Sequence, residues 1–369
     1  MQSGITLTLL VLLVVSTIAG QPTVLGQSLR QEADRIGLLV GTAVDPDSFS
    51  QPDYAETLAR EFNMVEPENV MKWTATEPAP GRFSFGPGDA VVAFAEAHHM
   101  KVRGHNLLWG THNPGWLSQG RFNAQALHRL MKDHITTEVV HYRGKVFAWD
   151  VVNEAFDSAG HLKHSIWYDR PGIGLAGQGT AYVAQAFRWA RAADPKALLF
   201  YNDYDAEGLN AKSDAIYAMV KDFKRRGVPI DGVGLQMHLL NLNRIPSSVE
   251  ANIARLARLG VQVHITEMDV ALPTGSGLPG AAELARQAAI YGQMASACAE
   301  QPACTAFQTW GFTDKYSWIP HFTKGTSGAA LLFDSDYKPK PAYWAVFHAF
   351  ANVAEKRPQI QRLRKHFQP

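Results

Sequence analysis

The stretch "VFAWDVVNE", residues 146–154, is apolar for most of its length and ends in an amide and a carboxylate, Asn153 and Glu154. A parallel strand buried on both faces reads as a near-continuous apolar run, and this run is shorter than the roughly ten residues a helix usually needs. A polar pair at its end admits two readings. Either the strand stops there and the pair faces water, or the strand end is a working site.

Seven further runs share this character: "LLVGTAV" (38–44), "NMVEPENV" (63–70), "KVRGHNLLW" (101–109), "ALLFYND" (197–203), "GVGLQMH" (232–238), "VQVHITEMD" (261–269) and "TAFQTWGF" (305–312). Amphipathic stretches with helical spacing lie between them, among them "GDAVVAFAEAHHM" (88–100), "AQALHRLMKDHITTEVVHY" (124–142) and "KSDAIYAMVKDFKRRG" (212–227), and a last one follows at "PAYWAVFHAFANVAEK" (341–356). Strand followed by helix, eight times over, predicts an α/β chain folded as a single-domain (β/α)8 TIM barrel. An open doubly wound sheet is the alternative. The count of eight favours the barrel, as do the polar residues crowded at one end of so many runs, since that fold carries its chemistry at the C-terminal strand ends.

The 369 residues suit one barrel with long loops. With 46% hydrophobic and 19% charged residues the chain can bury a large core, and a net charge of +1 gives no electrostatic footprint for nucleic acid or a charged polymer. The amino-terminal "MQSGITLTLLVLLVVSTIAGQPTVLGQ" has an apolar centre, Leu7 to Val15, followed by small and polar residues. It resembles a secretory leader spanning residues 1–26, cut after Ala19 or nearer Gly26; the run is short for a membrane anchor, so a secreted or periplasmic chain without a membrane span after cleavage is expected. The barrel would then occupy 27–357, and the basic tail 358–369, within "KRPQIQRLRKHFQP", would be solvated. Two cysteines, Cys298 and Cys304, suggest one small-loop disulfide in an exported chain, with two buried thiols as the alternative. Two Cys without a neighbouring His do not close a metal site, and no HExxH-type spacing occurs, so neither metal nor cofactor is expected.

The polar strand ends are Glu66, Glu68 and Asn69 with Lys72 just beyond; His105 and Trp109; Asn153 and Glu154; Asn202 and Asp203, then Tyr204; Gln236 and His238; His264, Glu267 and Asp269; and Gln308 and Trp310, with Trp318 in the following loop. In a barrel these converge on one face. Single buried polar groups are ordinarily satisfied core groups, and Asn202 and Asp203 can be read as turn caps. A ring drawn from most of the strands is harder to explain by packing. Glu154 and Glu267 lie on opposing sides of it, and paired carboxylates can hydrolyse a glycosidic bond, one donating a proton to the leaving oxygen and the other attacking or activating water, the route depending on their separation. His238, oriented by Asp269, would keep the nucleophile ionised. Flat Trp109, Trp310 and Trp318 among dense polar groups suit a neutral carbohydrate.

"WDVVNEAF" (149–156) and "ITEMDV" (265–270) resemble the acid/base and nucleophile motifs of glycoside hydrolase family 10, the endo-β-1,4-xylanases. "PENVMKW" (67–73), "RGHNLLW" (103–109), "NDYDAEG" (202–208), "GLQMH" (234–238) and "TWGFTDKYSW" (309–318) resemble its remaining motifs in order, covering about residues 30 to 350. The resemblance implies Glu154 as acid/base, Glu267 as nucleophile, and hydrolysis of xylan or xylo-oligosaccharides with retention through a covalent intermediate, by a chain expected to be monomeric. It implies Asn153 on the 2-hydroxyl at the cut, Glu68, Asn69 and Lys72 on the next sugar toward the non-reducing end, and Tyr204 on the leaving-group side. His105, Trp109, Gln236, Trp310 and Trp318 would line the cleft, His238 with Asp269 would support the nucleophile, and Cys298 and Cys304 stand where family members often carry a disulfide. The chain departs from the pattern at Gly110, Thr111 and His112, where His-Ser-Gln is common, at Val70, where Glu is common, and at Asp205, where Asn is common. The first of these departures leaves the catalytic pair in place and bears on substrate preference and turnover. The alternatives are a retaining β-glycosidase preferring glucan or aryl glycosides, a weakened carbohydrate-binding barrel, and a metal-dependent hydrolase.

Overall fold

A computed structural model describes residues 27–274, 277, 279–356 and 359–367; the expected leader, residues 1–26, lies outside the described residues. Eight parallel strands form the interior: β1 Leu39–Val44, β2 Met64–Pro67, β3 Lys101–His105, β4 Val146–Asn153, β5 Leu198–Asp203, β6 Gly232–Leu235, β7 Gln262–Val270 and β8 Cys304–Thr309. Each pairs with the next, and β8 returns to β1 with Leu39 opposite Ala306, so the sheet closes as the (β/α)8 barrel expected. Closure leaves no free edge, and the strand residues are buried almost throughout, which is why they read as apolar runs.

The helices between strands bury apolar stripes against the sheet. Their starts are set by local chemistry: Asn123 caps Ala124–His141 by accepting from Ala126 N at 2.9 Å, and Asn210 and Ser213 form a reciprocal capping box at Ala211–Arg225. The turn out of the helix Val249–Ala257 passes through Gly260 at φ 72°, a left-handed conformation that glycine adopts without a Cβ penalty. Two residues beyond β6, His238 and Leu239, run beside β7 with His238 opposite Asp269, which fixes the height of His238 in the barrel mouth.

Cys298 and Cys304 are joined as a disulfide linking the helix Ala281–Ala299 to the start of β8. The carboxyl-terminal segment corrects the sequence reading. Residues Gln359–Arg364 form a helix docked on the barrel, and the Arg364 side chain is buried, not solvated. Its guanidinium donates to the carbonyls of Ile36 (2.7 Å), Ala299 (2.9 Å) and Cys304 (3.1 Å). A buried guanidinium is tolerated because these carbonyls, left open at element ends, satisfy its donors.

Candidate active site

Strand alternation should point Asn153 and Glu154 to opposite faces. They converge instead, because Glu154 takes φ 55°, a left-handed conformation costly for a residue with a Cβ. Its N–H donates to Asn202 O at 2.9 Å, which holds the turned backbone. One donor then serves both side chains: Gln236 Nε2 lies 3.2 Å from Asn153 Oδ1 and 3.1 Å from Glu154 Oε1. Asn202 Nδ2 bonds Asn153 Oδ1 at 2.9 Å and Glu267 Oε1 at 2.7 Å. The two carboxylates are therefore linked by a continuous relay, Glu154–Gln236–Asn153–Asn202–Glu267. The backbone of β6 makes room for it, since a Cβ at Gly234 would overlap the Asn202 side chain.

The second oxygen of Glu267 lies 3.0 Å from His238 Nε2, and His238 Nδ1 lies 2.9 Å from Asp269 Oδ2. Trp318 Nε1 donates to the same Asp269 oxygen at 2.8 Å. Burial alone would push the Glu267 carboxyl up; the hydrogen bond from His238 and the charges of His105 and His238 outweigh it and hold Glu267 below the usual carboxylate range. Burial disfavours a charged His238, but the carboxylates of Asp269 and Glu267 outweigh that and raise it well above the ordinary imidazole value. The arrangement therefore maintains an ionised carboxylate beside an imidazolium.

Glu154 differs. It is partly exposed, and its other oxygen lies 3.6 Å from Lys163 Nζ. Lys163 also donates to Tyr204 OH at 3.3 Å, which places Tyr204 on the Glu154 side of the mouth. On the other wall Lys72 bonds Asn69 at 2.8 Å and lies over Trp109 (5.3 Å) and Trp310 (5.6 Å). Burial lowers the Lys72 ammonium's pKa, with Glu267, Glu68, Glu66 and Glu154 opposing. His105 meets Trp310 edge-on at 5.3 Å, and Trp318 meets His238 edge-on at 5.2 Å. The departure at residues 110–112 has a visible consequence: the His112 ring stacks on Trp109 at 3.6 Å and covers one of its faces.

The polar residues named from the sequence do not all reach the mouth. His264 lies inside the barrel between Arg103 Nη1 (2.7 Å) and Thr305 Oγ1 (2.9 Å). Gln308 donates to the Glu66 carboxylate and to Thr266 O, and Arg103 forks onto Asp150. This layer lies below the paired carboxylates, and His105 joins it by setting Nδ1 against Asp150 at 3.0 Å. Burial and the neighbouring Asp150 push Glu66 well above the carboxylate range, against Arg103; Arg103 and His105 overcome burial to hold Asp150 below it. Among the described residues, Glu66, His105 and Glu267 have the spacing of cation ligands, with one atom from each within 4.8 Å of the others. His105 and Glu267 are hydrogen-bonded to protein partners, and Arg103 Nε lies 3.5 Å from Glu66 Oε2 and supplies positive charge, so the set reads as an internal ion network.

The residues proposed for the catalytic pair and its support are thus joined in one hydrogen-bonded chain, Glu154 at one end and Asp269 at the other. Three further participants were not assigned a role from the sequence: Asn202, which joins the two halves, Arg103, which anchors the layer below, and Lys163 beside Glu154. Asn202 was visible as a strand-end polar residue; nothing local distinguishes Lys163 from a surface lysine.

The chain matches the family model for glycosyl hydrolase family 10 over residues 28–349. It is 42% identical to endo-1,4-beta-xylanase B of Thermotoga neapolitana over 321 residues, 86% of this chain and 90% of that one. The structure of native xylanase 10B from Thermotoga maritima superposes with TM-score 0.82 at 42% identity, covering 90% of this chain and all (100%) of that one. That of xylanase 10B from Thermotoga petrophila RKU-1 in complex with xylobiose gives TM-score 0.82 at 42% identity, covering 89% and 98%. With a closed barrel, paired carboxylates at its mouth and a family match across nearly the whole described chain, this protein belongs to glycosyl hydrolase family 10 and is a glycoside hydrolase.

Proposed function

We propose that the protein is a secreted endo-β-1,4-xylanase that cuts internal bonds of xylan with retention of anomeric configuration. The observation that carries the reading is the contrast between the two carboxylates. Glu267 is held ionised by His238 and Asp269 as a nucleophile requires, whereas Glu154 sits at the more open side of the relay, where a leaving group and water can reach it. In the first step a Glu267 oxygen forms a bond to the anomeric carbon, the glycosidic C–O bond breaks, and Glu154 gives its proton to the departing oxygen. In the second, Glu154 takes a proton from water, whose oxygen attacks the anomeric carbon and releases Glu267. Asn153 Nδ2 is buried and has no hydrogen-bond partner among the described residues, so it offers a donor to the 2-hydroxyl of the sugar at the cut. Glu68, Asn69 and Lys72 hold the next glycone unit, Trp310 and Trp318 line the sugar faces, and Tyr204 meets the leaving sugar. Export rests on the leader-like residues 1–26; no helix among the described residues is long and apolar enough to cross a membrane.

Azide rescue tests the role assignment. Azide attacks without a general base, and an activated aryl glycoside leaves without an acid. Glu154→Ala should lose about 10²–10⁴-fold on xylan, yet turn over an aryl xylobioside faster with azide, giving a β-glycosyl azide. Glu267→Ala, where azide takes the place of the missing carboxylate in a single displacement, should give the α-glycosyl azide. The β-azide from Glu267→Ala, the α-azide from Glu154→Ala, or full activity in either variant overturns the assignment. Activity on glucan but not on xylan would overturn the substrate and leave the mechanism standing.

A further inference from the structure

Met237 stands between the two residues that serve the two carboxylates. Gln236 before it bonds Asn153 and Glu154, and His238 after it bonds Glu267. The backbone passes through Met237 at φ 67°, a left-handed conformation costly for a residue with a Cβ. The strand register slips at the same place. Leu235 faces Ile265 and His238 faces Asp269, so β7 advances by four residues while the facing segment advances by three. The turn at Met237 accommodates the mismatch and sets how far apart the Gln236 and His238 side chains stand.

A side chain holds this turn. Around it the backbone bonds strand to strand, with Gln236 N donating to Asp203 O and Glu267 N to Gln236 O, both at 3.0 Å. Met237 N donates instead to Glu207 Oε1 at 2.9 Å. Both residues are buried, so loss of this acceptor would leave a costly unpaired N–H. Glu207 is itself fixed from a third element: Asn252, on the helix Val249–Ala257, donates its amide to the carbonyls of Ala206 (2.7 Å) and Glu207 (3.1 Å). Burial raises the Glu207 carboxyl, against the N–H groups of Met237 and of Glu207 itself and the charge of His238, while Asp205 adds to the rise. Protonated or ionised, the group keeps an oxygen able to accept from Met237 N.

We propose that Glu207 is a positioning residue for both carboxylates: through one hydrogen bond to Met237 N it fixes the turn that aims Gln236 at Glu154 and His238 at Glu267. The proposal rests on the xylanase reading and its two carboxylate roles. Of the charged groups acting on Glu267, His238 rides on this segment; Glu66, Lys72, His105 and Asp150 stand on or beside β2, β3 and β4. Disturbing the turn therefore moves one partner of the nucleophile and leaves the others in place.

The experiment measures kcat, KM and the pH profile of kcat/KM on a soluble xylo-oligosaccharide, beside thermal melting. Glu207→Ala removes the acceptor, Glu207→Asp keeps the charge and draws the acceptor back by one methylene, and Glu207→Gln keeps the acceptor and removes the charge. The Ala and Asp variants should lose about 10–100-fold in kcat with KM within about twofold of wild type. Their acid limb should move up by about half a pH unit or more, as His238 loses its hold on Glu267. Glu207→Gln should stay within about threefold of wild type with its acid limb unmoved. Glu207→Asp carries the test if Glu207→Ala does not fold. A kcat loss with an unmoved acid limb in the Ala and Asp variants would reduce Glu207 to a structural role, and a Gln variant as impaired as the Asp one would assign the effect to charge. Either result, or wild-type kinetics in Glu207→Ala, overturns this proposal alone. Wild-type inactivity on every xylo-oligosaccharide overturns the xylanase reading instead.

Discussion

At the scale of single residues, the site holds a buried carboxylate, Glu267, in its ionised form. Burial works against an ionised Glu267, and the imidazolium of His238 is among the groups that reverse it. His238→Asn removes that charge, so Glu267 takes up a proton at higher pH. As the proposed nucleophile, Glu267 acts only as an anion, so the acid limb of the kcat/KM profile should move up by about one pH unit or more. A full pH–rate profile on soluble xylan checks this; an unmoved acid limb would assign the ionisation of Glu267 to other neighbours. The pair Glu267 and His238 was legible in the sequence because "GLQMH" and "ITEMDV" each concentrate polar residues at a strand end. Asn202 was less legible, since its partners Asn153 and Glu267 are 49 and 65 residues away and only closure of the barrel brings them to it.

Among the elements, the helix Ala124–His141 shows how the outer layer positions the mouth. Its buried His134 stacks flat on Trp73, ring centroids 3.7 Å apart, and Trp73 follows Lys72 of the barrel mouth. His134 Nε2 lies 3.3 Å from Glu138 Oε2. Burial lowers His134 and, with Glu77 adding to it, raises Glu138 well above the usual carboxylate value. The two therefore meet as a neutral acid and a neutral imidazole. A carboxyl raised in the folded state binds its proton more tightly there than in the unfolded chain. Its contribution to stability is full below the unfolded carboxylate pKa and is lost as pH climbs toward the folded value. Glu138→Gln cannot titrate, so the loss of unfolding free energy between about pH 5 and pH 8 should shrink by about 1–3 kcal/mol. Denaturant melts at both pH values measure it, and an unchanged difference would exclude Glu138 as the source. The helix itself was plain from its periodicity, but this pair was not, because a His and a Glu four residues apart read equally well as a solvated face.

For the whole molecule, the barrel was legible because every strand is buried on both faces and so announces itself as an apolar run. The docked carboxyl-terminal helix was not, because besides the buried Ile360 its hold on the barrel is the Arg364 side chain bonding backbone carbonyls, among them Ile36, 328 residues away. Carbonyl acceptors leave no trace in a sequence. Arg364→Ala should strand these buried acceptors and lower unfolding free energy by about 2–4 kcal/mol, with little effect on kcat because the catalytic ends of the strands lie at the opposite face. Thermal melting beside a xylan assay separates the two effects; a parallel loss of kcat without loss of stability would contradict this picture.

The position of that arginine also sets an order in time. It follows all eight strands in the chain, and it fastens the seam where the first strand meets the last. A nascent chain emerging from the ribosome can pair its strands in turn, yet the seam stays unlatched until residue 364 has been synthesised. A chain stalled just short of the helix Gln359–Arg364 should therefore hold a nearly complete barrel that a protease opens at the β8–β1 join, whereas release of the next few residues closes it.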